Sequence, residues 1–186
     1  MKASIVSASL FAAAVSAHGN ITSPPARQAG AAMAVVCGQD AVDTVNADPT
    51  IPLEDVTSAS AQCDLGLCRG AQFEDNAEQV QQFAPGEIVP MEAFIPIPHE
   101  GPMNTSIVDT ATNTVIGEPL ISFASYADEN LAVLPANNTN FNVTMPTNLG
   151  PNQCVVAGDC VMQWFWLGTS ARQTYESCID FVMVQA

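Results

Sequence analysis

Positive charge is what this chain of 186 residues has least of: Lys2, Arg27, Arg69 and Arg172 stand against 19 acidic residues, for a formal net charge of −15. Nucleic acid and anionic membranes are gripped by basic faces that neutralise phosphate, so both partners are excluded. A neutral polysaccharide is indifferent to such a field. Aromatic residues make up 6% of the chain, too few for a broad sugar-stacking platform once the tryptophans are assigned to a core strand. Paired Cys-x-x-Cys knuckles are missing, which argues against a thiolate zinc site. No repeat, low-complexity linker or second module interrupts the chain, and past residue 17 no apolar run approaches the roughly 20 residues that span a bilayer.

The start of the chain is different in kind. Lys2 precedes an apolar stretch from Ala3 to Val15, and small residues stand at Val15 and Ala17. A basic start, a short apolar middle and a small-residue end describe a signal peptide cut after Ala17. Residues 1–17 are therefore expected to be removed, and residues 18–186 to form one freely secreted domain. In an exported protein the even set Cys37, Cys63, Cys68, Cys154, Cys160 and Cys178 implies three disulfides. Cys154 with Cys160 is the favoured pair, since only a short polar loop separates them. Four Asn-x-Ser/Thr sequons, at Asn20, Asn104, Asn137 and Asn142, agree with export and exposed loops. Glycans at Asn20 or Asn104 would crowd the site described below, so those two are expected to stay bare or to shield it.

From Glu87 onward, short apolar runs alternate with Gly, Pro, Asn and Asp clusters, the pattern of an all-β antiparallel sandwich of immunoglobulin or fibronectin-III type. Strands are expected at Val89 to Ile97, Ser106 to Val108, Val115 to Phe123, Asn140 to Met145, Val161 to Leu167 and Ile179 to Val184. The fifth is apolar on both faces and should be central, its tryptophans in the core. Pro90, Pro96 and Pro98 should confine the first to an edge or make it irregular. In the last, Ile179, Phe181 and Met183 should share one face, with Asp180 on the other. Gly30 to Ala84 is expected to be long disulfide-pinned loops with one short helix near Asn76 to Phe83.

Only two histidines exist, His18 and His99, and the first becomes the N-terminus once the leader is cut. A terminal histidine offers a free α-amine and a ring nitrogen to one metal ion, and a second imidazole completes three nitrogens. That donor set suits copper, which heads the divalent affinity order and accepts planar geometries. Binding must displace the amine's proton, whose ordinary pKa is about 7.7 to 8.0, so it weakens in acid.

His18-Gly19, Ser23-Pro24-Pro25-Ala26-Arg27, Pro98-His99 and Gln173-Thr174-Tyr175-Glu176-Ser177-Cys178 together resemble the fungal lytic polysaccharide monooxygenases, auxiliary activity family 16 above all. The resemblance implies a histidine brace of His18 and His99 around one copper ion. It makes Tyr175 the axial group and Gln173 the glutamine that hydrogen-bonds bound oxygen. Residues two apart on an extended segment point the same way, so Gln173 and Tyr175 can both face the metal. The implied reaction is oxidative cleavage of a polysaccharide, cellulose favoured, at C1 or C4. It draws on an external electron donor and on oxygen or hydrogen peroxide, and the enzyme is expected to be a monomer. The alternative is a secreted copper-binding protein without oxygenase activity. Tyr175 and the Gln-x-Tyr spacing favour the enzyme, because look-alike copper binders place an aspartate near the metal.

Overall fold

A computed structural model describes residues 18–184, and the expected signal peptide lies outside the described residues. In chain order the strands are β1 (His18–Ser23), β2 (Gln81–Phe83), β3 (Ile88–Ile97), β4 (Gly101–Asp109), β5 (Thr114–Tyr126), β6 (Asn140–Thr144), β7 (Cys160–Gly168) and β8 (Gln173–Met183). They make two sheets, of order β1-β3-β6 and β2-β8-β7-β4-β5. All pairings are antiparallel except that of β2 with β8. The two sheets enclose one core: Met103, Met162, Trp164, Trp166, Tyr175 and Phe181 from the larger pack with Ile21, Met91, Phe141 and Val143 from the smaller. This is the β-sandwich that the alternation implied.

β7 lies at the centre of its sheet and both its tryptophans are buried, as its two-faced apolar run required. β3 is irregular, as its prolines allowed, but it is the middle strand of its sheet and not an edge. Its partners share it by halves. β6 pairs with Ile88 to Glu92, whereas β1 pairs irregularly with Glu92 to Ile97, so each half keeps one free side where a missing N–H does no harm.

The segment before β2 is more structured than its sequence suggested. It contains α1 (Ala31–Cys37) and α2 (Gln39–Ala47), whose Met33, Cys37, Ala41, Val42 and Val45 form a second core with Val56 and Ala71. The helix expected near Asn76 to Phe83 is instead a short 3-10 turn at Ala77–Gln79 followed by β2. Pairing with a docking strand, β8, won over local helicity. A last short helix, α3 (Ala136–Thr139), leads into β6.

Three disulfides form: Cys37–Cys63, Cys68–Cys178 and the anticipated Cys154–Cys160. The sequons divide. Asn137 and Asn142 are exposed and Asn20 and Asn104 half-buried, and of the four only Asn137 lies off a strand, in α3, whereas Asn20, Asn104 and Asn142 sit on β1, β4 and β6.

The inner face of β8 carries Tyr175, Ile179 and Phe181 into the sandwich core. Its other face, which carries Asp180 as the alternation implied, is covered by the N-terminal segment. Thr174 bonds Glu54, Cys178 is bridged to Cys68, and Asp180 takes both Arg27 Nε and Nη2 at 2.7 Å. The long N-terminal segment is thus laid over β8 and pinned to it at alternate residues.

Candidate metal centre

His18 opens β1, and its Cα is paired with that of Ile97 at the end of β3. His99 lies two residues beyond, in the turn to β4, so strand pairing delivers both imidazoles to one end of the sandwich. The β7–β8 turn comes to the same end. Gly168 is paired with Gln173, and a Cβ on Gly168 would lie 3.1 Å from the Cβ of His99. One register step deeper, Trp166 is paired with Tyr175, and their rings stack at 4.5 Å. Gly19 closes the arrangement, because a Cβ there would lie 2.9 Å from the Trp166 ring. A bare backbone at Gly19 is what lets the His18 strand lie on that ring.

The side chains agree with the spacing argument. The Tyr175 hydroxyl donates to Gln173 Oε1 at 2.9 Å, so the two share a face of β8. Tyr175 is wholly buried, and burial, reinforced by the nearby carboxylates of Glu54 and Asp55, pushes its phenol far above the ordinary range. It is a neutral phenol at any physiological pH. Its neighbour on the other face, Glu176, is also buried. Desolvation lifts that carboxyl to about 7 against the pull of the Arg69 backbone N–H and guanidinium.

His99 is 7% exposed, and its Nδ1 is buried with no hydrogen-bond partner among the described residues. A buried ring nitrogen without a partner is costly in a metal-free protein. His18 Nε2 lies 2.9 Å from Asp48 Oδ2. That contact occupies the ring nitrogen farther from the main chain. Only Nδ1 is near enough to the residue's own backbone nitrogen to share an ion with it. Among the described residues no group of three or more His, Cys, Asp or Glu side chains is placed to hold a metal. Two imidazoles therefore need a main-chain donor, which a chain beginning at His18 supplies, and the residues present fit copper.

Sequence reasoning missed the segment that carries Asp48. Asp48 Oδ1 accepts from the Thr50 amide at 2.8 Å and its hydroxyl at 2.5 Å, an Asx turn. The Thr50 carbonyl accepts the Gly19 N–H at 3.0 Å. The buried Arg69 guanidinium donates to the carbonyls of Pro49 and, at 3.1 Å, Ile51. Desolvation lowers the guanidinium to about 10, which leaves it charged at neutral pH. Burial raises the Asp48 carboxyl, but the Thr50 donors, His18 and Arg69 outweigh that and hold it below the usual range. The Asp-Pro-Thr run was the one available signal, and nothing in its spacing ties it to residue 18. Arg27 of the Pro-Pro-Ala-Arg motif lies elsewhere: it is committed to Asp180 and to the Ala71 carbonyl.

The two-sheet sandwich thus brings His18, His99, Gln173 and the buried Tyr175 to one end. Residues 18–181 match the family model of the cellulose-degrading lytic polysaccharide mono-oxygenases, and the chain belongs to that family. It is accordingly a copper-dependent oxidoreductase that cleaves a polysaccharide oxidatively. Among solved structures, a cellulose-active lytic polysaccharide monooxygenase in complex with copper shares the fold, with TM-score 0.50, 14% identity, and coverage of 91% of this chain and 100% of the other. A chitin-binding domain from Burkholderia pseudomallei (TM-score 0.49, 14% identity) and a lytic polysaccharide monooxygenase from Jonesia denitrificans (TM-score 0.46, 17% identity) each align over 90% of this chain and 100% of their own. No curated protein sequence matches.

Proposed function

We propose that the mature protein is a secreted, single-domain monomer starting at His18, and that it holds one copper ion through the His18 amine and Nδ1 together with His99. Tyr175 would be the residue beside that ion, and Gln173 the one that would hydrogen-bond oxygen at the site. The reading is carried by one observation: strand pairing gathers His18, His99, Gln173 and Tyr175 at one end of the sandwich.

Copper, when bound, supplies the one-electron chemistry that turns oxygen or hydrogen peroxide on a sugar C–H bond, with electrons from an external donor. The protein supplies placement. The Tyr175 phenol is kept neutral and is fixed by its stack on Trp166 and its bond to Gln173. That bond holds Gln173 on the same side of β8 as Tyr175. Buried rings beneath the histidines exclude water from the inner side of the centre, leaving substrate to approach from outside.

Cellulose is the favoured substrate. The family's cellulose-degrading character supports it, and so does a surface whose charge a neutral chain ignores. The finer placement among fungal enzymes of auxiliary activity family 16 rests on the His-Gly, Pro-His and Gln-x-Tyr set. Mass spectrometry of the secreted protein should give a mass starting at His18 with one copper. With cellulose and a reductant it should release oxidised oligosaccharides. Copper uptake without such products identifies a copper-binding protein that lacks oxygenase activity, and a different N-terminus sinks the brace.

A further inference from the structure

We propose that Asp48 is a positioning residue of the copper site, holding His18 as the Nε2–H tautomer so that its Nδ1 lone pair is directed to the metal. The inference rests on the reading above and concerns a residue that none of the motifs contains.

The geometry carries it. His18 Nε2 and Asp48 Oδ2 are 2.9 Å apart, a hydrogen-bond distance, and the carboxylate has no proton to give. The imidazole must therefore be the donor, and a neutral ring with its proton on Nε2 has its lone pair on Nδ1. That is the only nitrogen of this ring able to chelate together with the α-amine. A metal-ligating histidine gains both orientation and basicity from a carboxylate on its other nitrogen.

Asp48 is itself held in place. Its second oxygen is bound by the Thr50 amide and hydroxyl, and the Thr50 carbonyl takes the N–H of Gly19, the residue after the ligand. Arg69 grips the carbonyls on either side, those of Pro49 and Ile51. Arg69 follows Cys68, which is bridged to Cys178 of β8, three residues from Tyr175. The support for one ligand is thus tied covalently to the strand that presents the tyrosine. At an exposed terminus, free to fray, such a cradle restricts His18 both at its ring and at its following peptide.

The experiment uses mature wild-type protein, D48A and D48N, each checked for folding by thermal melting. Copper(II) affinity is measured against a competing chelator, and the copper spectrum is recorded by electron paramagnetic resonance. D48A should bind copper about 10- to 100-fold more weakly, the usual effect of removing a ligand's supporting carboxylate, and should show altered nitrogen couplings. D48N keeps an oxygen that accepts the Nε2 proton and should recover most of that loss, which a purely electrostatic role would not allow. Independently of any variant, nitrogen-15 spectra of the copper-free mature wild type should show His18 as the Nε2–H tautomer. Equal affinity and spectra for wild type and D48A, or a His18 proton on Nδ1, overturn this inference alone. A wild type that takes up no copper overturns the proposed function and this inference with it.

Discussion

Gly168 lacks a side chain because His99 occupies the space one would need: the added carbon would press on the His99 Cβ at 3.1 Å. Gly168→Ala should displace the second imidazole, lowering copper affinity about tenfold while the sandwich still melts cooperatively. His99→Ala removes a donor outright and should cost well over 100-fold, both measured by chelator competition. Tyr175→Phe tests the phenol separately. The ring stays stacked on Trp166, so only the bond to Gln173 is lost, at about 1 kcal/mol of stability. Copper affinity should change less than about fivefold, while release of oxidised product falls at least tenfold. Unchanged product would remove Tyr175 from the reaction.

Among elements, β8 does most, since one face serves the metal end and the core and the other holds the N-terminal segment. The Cys68–Cys178 bridge spans 110 residues, and opening it by a double alanine substitution should cost about 4 kcal/mol in unfolding free energy. Copper binding should weaken too, because the clamp on Pro49 and Ile51 is carried by the adjacent Arg69. A melt and a chelator titration on the same sample would show whether the two losses travel together. Glu176, on the same face, gives a pH prediction. Its folded pKa of about 7 lies above the ordinary 4.5, so between those values the folded protein holds a proton that the unfolded chain has released. The resulting stabilisation is full below pH 4.5 and fades as pH rises through 7. Glu176→Gln should lack this slope. Melting of the copper-free protein from pH 5 to 8 should therefore favour the variant increasingly, by on the order of 3 kcal/mol at most.

Legibility in the sequence followed the same division. Strands with alternating apolar residues declared themselves, as did a Gln-x-Tyr pair whose side chains point together. β1 was hidden because His18–Ser23 is mostly polar and owes its form to β3, while α1 and α2 are short and start at glycines, the first amides of α1 being bound by the distant Asp75 carboxylate. Asp180 was placed on the face opposite Ile179 and Phe181, but its ion pair with Arg27 was not legible, because alternation shows two faces and not that a distant segment covers the second. Asp48 and Arg69 stayed invisible for a related reason. They act through carbonyls and turns, whose partners a residue pattern does not encode.

Taken whole, the molecule is an anion, and the reaction proposed for it draws electrons from outside. The proposed mature form, without residues 1–17, would lack the only lysine and be more acidic than the −15 of the full chain. A small anionic donor approaching the site climbs a repulsive potential, one that salt screens over a length of roughly 10 Å at 0.1 M. Its rate of copper reduction should rise severalfold between about 10 mM and 300 mM salt. An uncharged phenolic donor feels no such barrier, and its rate should stay level over the same range. Stopped-flow reduction of the copper-loaded mature protein with one donor of each kind makes the comparison. If both respond alike to salt, the acidic surface has no part in choosing the donor, and its purpose is confined to keeping the protein soluble outside the cell.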